Sequence, residues 1–105
     1  MAKVPANFTW INDTFGTAMK THARLGKELL AAGPVSRKQA QLVQLAAAAA
    51  VRSEGAVHSH VKRALKAKAK PEEIYHTLVL LTSTIGFPAV SAALCWAREI
   101  IEPKG

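Results

Sequence analysis

Apolar residues recur along this chain at helical spacings of three and four, and nowhere with the strict alternation of a half-buried strand. From Asn7 to Ala32 the apolar positions are Phe8, Ile11, Phe15, Met19, Leu25, Leu29 and Leu30. Gly16 and Gly26 interrupt that stretch, each costing about 1 kcal/mol in a helix interior relative to alanine. The pattern predicts two helices, or one bent helix, after an N-terminal arm over residues 1–6. Gly33-Pro34 ends it, because glycine suits a helix C-terminus and proline cannot continue the helix. Ser36 opens the next helix, with Gln39 at the S-x-x-Q spacing of a capping box. The run Gln41 to Val51 is nearly all apolar and predicts a helix buried on most sides. Arg52-Ser53-Glu54-Gly55 breaks it. A helix from about Glu54 to Ala69 then places Val57, Val61, Ala64 and Leu65 on its buried face. Lys70-Pro71-Glu72-Glu73 starts another, with proline in the first turn and two acids at the positive end of the helix dipole. Its core stripe is Ile74, Leu78, Leu81 and Ile85. Gly86-Phe87-Pro88 launches the last helix, to about Ile101.

Composition agrees with this pattern. Half of the 105 residues are hydrophobic, yet aromatics make up only 6% and alanine dominates the apolar set. Alanine is the best helix former, so the expectation is an all-α domain. The length predicts one domain over residues 1–105, which buries roughly 65% of its unfolded surface. Small side chains make a thin core, so self-association is expected.

No apolar stretch reaches the ~20 residues of a membrane span, which predicts a protein without membrane contact. Cys95 is the single cysteine and cannot form an intrachain disulfide; with no signal sequence apparent, the cytoplasm is the expected compartment. Its apolar setting, Ala92-Ala93-Leu94-Cys95-Trp96, predicts burial as a small hydrophobe. Trp10 and Trp96 are read as core or subunit-interface residues.

The formal charge is +7, and five of the fourteen basic residues lie between Lys62 and Lys70. Lys62, Lys66 and Lys70 recur every fourth residue and predict a solvated stripe on one helix. No aromatic residues interleave with them, so nucleic acid is not an expected partner. His58 and His60 point about 200° apart on a helix and cannot chelate one ion together. No spacing of His22, His58, His60 or His76 suggests a metal site, and neither metal nor cofactor is expected.

The segment Glu54-Gly55-Ala56-Val57-His58-Ser59-His60 resembles the E-G-x-x-x-x-H stretch of the carboxymuconolactone decarboxylases. Ala64-Leu65-Lys66-Ala67, Pro71-Glu72-Glu73-Ile74 and Gly86-Phe87-Pro88-Ala89 follow in the order of that family, over about residues 37–101. The resemblance implies an alkylhydroperoxidase D-like bundle of five to six helices around an antiparallel pair. It also implies a homo-oligomer, often a hexamer built as a trimer of dimers, with a pocket near the N-terminus of the Glu54 helix.

The peroxidase branch of this superfamily carries C-x-x-C-x-x-x-H at the start of the same helix. Counting back from His60, its cysteine positions are Ser53 and Ala56, and the position of its glutamate is Gln41. Of that constellation only His60 survives, so dithiol peroxidase chemistry is not expected. The decarboxylases' Asn-His pair stands here as Ser91-Ala92, and their acid inside the E-G stretch as Ala56. The resemblance thus implies a protein that binds or acts on a small organic acid or lactone, lyase-like, by proton transfer through His60. Arg37 or Arg52 would hold a carboxylate, with Ser53, Glu54 and His58 lining the site. Two alternatives stand beside it: a non-catalytic oligomeric binding or assembly protein of the same fold, and antioxidant thiol chemistry through Cys95.

Overall fold

The computed structural model describes residues 6–103, and among them every regular element is a helix. There are seven segments: α1 (Ala6–Thr14), α2 (Gly16–Ala31), α3 (Arg37–Ala50), α4 (Glu54–Lys66), α5 (Pro71–Leu80), the single turn α6 (Thr82–Ile85) and α7 (Phe87–Ile101). Six longer helices match the expected all-α bundle. The N-terminal arm expected over residues 1–6 lies outside the described residues except for Ala6, which begins α1. No helix is long and apolar enough to cross a membrane among the described residues.

The chain forms two compact units, residues 6–34 and residues 35–103. In the first, α1 and α2 contact each other across a break at Phe15, whose ψ of 43° is not helical. The break falls immediately before Gly16, while Gly26 lies inside an unbroken α2. Trp10 and Phe15 meet edge to face, with centroids 6.0 Å apart. Neither helix of this unit has a fully buried residue, and Trp10 is 58% exposed, so it is not a core residue of the chain.

The second unit holds the core. Antiparallel α3 and α4 form its most extensive contact, and α7 packs against α4 and α5. Leu45, Val57, Val61, Ile74 and Leu78 are fully buried, and Ala48, Ala49, Ala64, Ala93 and Ala97 fill the narrow spaces between helices. Alanine at these contacts lets helix axes approach closely, which is why an alanine-rich sequence packs this way.

Ser36 caps α3 as its spacing predicts: its hydroxyl accepts from the Gln39 N–H at 3.1 Å, and Gln39 Oε1 accepts from the Ser36 N–H at 3.0 Å. At α5, Glu73 Oε1 accepts from the Lys70 N–H at 2.8 Å, closing the first turn around Pro71.

Two expectations change here. Helix α3 is buried along one stripe only, Ala40, Leu45, Ala48 and Ala49; Val43 is 64% and Val51 73% exposed. One neighbouring layer covers one face, and the apolar run alone does not reveal which residues lie opposite. Helix α4 ends at Lys66, and Lys70 caps α5, so Lys62, Lys66 and Lys70 do not share one helix. The backbone turns at Lys68, where φ is +75°.

Candidate functional site

The site is built on the α3–α4 hairpin. Gln41 lies one turn inside α3, and His60 lies two turns inside α4. Antiparallel packing brings them together: His60 Nδ1 stands 2.9 Å from Gln41 Oε1 in a partly buried setting. The amide oxygen can only accept, so Nδ1 carries the hydrogen and Nε2 of the neutral ring keeps its lone pair. Burial lowers the His60 pKa from its ordinary value, and the charge of Arg63 lowers it further. At neutral pH the ring is therefore uncharged, with an oriented acceptor nitrogen.

Arg63 is the cation nearest in effect to His60, three residues along the same face of α4. The sequence offered Arg37 or Arg52 for a ligand carboxylate. The i+3 spacing was the available signal, hidden within the basic run from Lys62 to Lys70. Arg37 opens α3 one turn before Gln41, while Arg52 follows the far end of that helix. The two arginine positions are about 20 Å apart along the axis and cannot both clamp one small carboxylate.

Ser53 is committed to the fold. As the N-cap of α4, its hydroxyl accepts from the Ala56 N–H at 3.3 Å. Its position seven residues before His60 returns it to nearly the same face, two turns away. Glu54 and His58 occupy another flank of α4. There His58 Nε2 meets Glu99 Oε1 of α7 at 2.9 Å, and donor atoms of Glu54, His58 and Glu99 all lie within 4.8 Å of one another. The expected site residues thus divide in two: His60 stands with Gln41 and Arg63 on one flank, and Glu54 and His58 stand with Glu99 on the other.

Cys95 is exposed, contrary to the burial its apolar neighbours suggest. Helix α7 turns Ala93 and Ala97 inward, and Cys95, midway between them, faces out. It lines two adjoining open grooves of about 370 and 350 Å³ along α7, which share Arg98 and Glu102. The larger reaches Tyr75, whose hydroxyl donates to Glu102 Oε2 at 2.5 Å. Burial and this carboxylate push the Tyr75 pKa up to about 12. Neither groove is lined by His60 or Gln41.

No curated protein and no solved structure matches the chain. The model of the carboxymuconolactone decarboxylase family matches residues 16–99, from the start of α2 into the last turn of α7. That match reaches further toward the N-terminus than the motifs between Arg37 and Ile101 and contains Gln41, His60 and Arg63, and the chain belongs to the carboxymuconolactone decarboxylase family.

Proposed function

We propose that this protein binds a small organic acid or lactone at the His60–Gln41 pair and moves a proton on it through His60 Nε2. The observation that carries this reading is the 2.9 Å contact between His60 Nδ1 and Gln41 Oε1. It orients the ring and selects the tautomer whose free nitrogen accepts a proton. Glutamine cannot relay a proton onward, so Nε2 itself takes the proton, exchanges it with solvent and returns a proton to the ligand. The chemistry that suits this arrangement is removal of a proton beside a carbonyl and its return to carbon. Arg63 supplies the positive charge for the ligand carboxylate or for the developing enolate.

Proton transfer through His60 can begin from either protonation state of the ring. The oriented Nε2 lone pair favours a base that becomes an acid only after taking a proton. Loss of carbon dioxide from a lactone acid is compatible with this role if Nε2 first takes a proton from solvent and then delivers it to the carbon that has lost the carboxylate.

The test is proton exchange followed by NMR in D2O, with γ-lactone acids and dicarboxylates as ligands. Enzyme-dependent deuterium incorporation next to the carbonyl, abolished in His60→Ala and strongly reduced in Arg63→Ala, supports the proposal. Thermal stabilisation by a ligand without exchange would favour binding alone.

A second reading is a non-catalytic assembly subunit. The exposed Val43, Val51, Val79, Leu80 and Phe87 on the second unit favour it, since such faces are commonly covered in an oligomer. It predicts an oligomer that neither binds these ligands nor changes when His60 is replaced.

A further inference from the structure

Glu54 and His58 are four residues apart on α4, so successive turns of the helix set them side by side. Packing of α4 on α7 brings Glu99 to the same place, with Oε1 at 2.9 Å from His58 Nε2. One donor atom from each residue falls within 4.8 Å of the other two. Around a tetrahedral zinc ion with bonds of about 2.0–2.2 Å, donor atoms stand roughly 3.4 Å apart. The side chains reach that spacing by shifts of about an ångström, and Glu54 and Glu99 are exposed and free to make them.

Charge points the same way. The chain carries a formal +7, and Glu28, Glu73 and Glu102 each pair with an arginine or lysine. Among the described residues, neither Glu54 nor Glu99 has such a partner within 4 Å; Glu99 meets only His58. Two carboxylates thus stand around one imidazole. A divalent cation offsets both charges and uses the imidazole nitrogen as well.

We infer that Glu54, His58 and Glu99 form a binding site for a first-row divalent cation, with zinc as the reference ion. One nitrogen and two oxygens suit zinc, cobalt or nickel better than calcium or magnesium, which favour all-oxygen shells. The ion takes the place of the hydrogen between His58 Nε2 and Glu99 Oε1 and ties the first turn of α4 to the last turns of α7. Three protein ligands leave a coordination position for water or a ligand carboxylate. The site is separate from His60, which points about 200° away from His58 on α4.

The experiment is calorimetric titration of chelator-stripped full-length protein with zinc chloride, with cobalt chloride as a spectroscopic probe. The expected result is one saturable site per chain, a rise in Tm and a visible cobalt absorption band. Glu54→Gln and Glu99→Gln each weaken binding by roughly tenfold or more and His58→Ala abolishes it, with circular dichroism unchanged. His76→Gln and Cys95→Ser leave it intact. Absence of saturable binding overturns the inference, as does binding that survives Glu54→Gln and Glu99→Gln or disappears in Cys95→Ser.

Discussion

Both carboxylate oxygens of Glu73 are in use: one accepts from the Lys70 N–H at 2.8 Å, the other from Lys38 Nζ at 2.9 Å. These contacts, the backbone one foremost, hold its pKa below the usual carboxylate value. A carboxylate with a depressed folded-state pKa stabilises the fold above its unfolded pKa, and that contribution is lost as pH falls through the folded value. Glu73→Gln should therefore lower Tm at pH 7, and the gap from wild type should close as pH drops below the carboxylate range. Thermal melts at pH 7, 5 and 3 check this. Tyr75 moves in the other direction. Its phenol should titrate near 12 when followed by ultraviolet absorbance, against about 10 for a free tyrosine. Glu102→Gln should bring that midpoint down only part of the way, because burial is the larger cause.

The helix ends show how elements are set by backbone conformation that composition conceals. Helix α3 closes with Ser53 N–H on Ala48 O at 3.1 Å, and α4 closes with Ala69 N–H on Ala64 O at 2.9 Å. Both are the long hydrogen bond of a Schellman turn, which needs a left-handed residue just before the donor. Glycine usually holds that position. Here Arg52 has φ of +55° and Lys68 of +75°, at about 1–2 kcal/mol for a residue with a Cβ. Lys68→Gly should then be neutral or stabilise the protein by about 1 kcal/mol or less, since glycine's unfolded entropy offsets part of the gain. Gly86, between α6 and α7, is the reverse case, with φ of +90°. A Cβ there would meet only Pro88 Cδ at 3.9 Å, and with ψ of 155° the backbone lies in a region essentially confined to glycine, so Gly86→Ala should cost about 1–3 kcal/mol through backbone strain rather than collision. Chemical denaturation measures both changes.

At the scale of the molecule, the core of the second unit is one cluster around Leu45, Val57, Val61, Ile74 and Leu78. Leu45→Ala should cost about 2–5 kcal/mol, because the surrounding helices collapse only partly onto the space left. Val43, two residues away on α3, faces out, and Val43→Ala should leave the stability of the isolated chain nearly unchanged. If the exposed apolar faces mate in an oligomer, light scattering after gel filtration should give a multiple of the 11.2 kDa chain mass, six-fold for a hexamer. A charge placed in such a face, Leu80→Glu or Val43→Glu, should then shift the population toward smaller species without unfolding the bundle.

Helix identity was legible in local sequence. Ser36 with Gln39, Pro71 with Glu73, and the Gly86-Phe87-Pro88 punctuation each act within one turn, so residue type and spacing sufficed to place α3, α5 and α7. The inward stripe Val57, Val61, Ala64 was legible for the same reason, and so was the family, whose motifs are ordered along the chain. What local spacing does not encode is which helix lies against which face. Only packing decided that Gln41 meets His60, that Glu99 of α7 joins Glu54 and His58, and that Cys95 and Val43 face outward. The left-handed turns at Arg52 and Lys68 belong to the same class. Nothing in either side chain favours that backbone, and the closing hydrogen bonds and the packing of the next helix hold it there. Short-range chemistry selected the elements, and contacts between residues far apart in sequence assembled the sites.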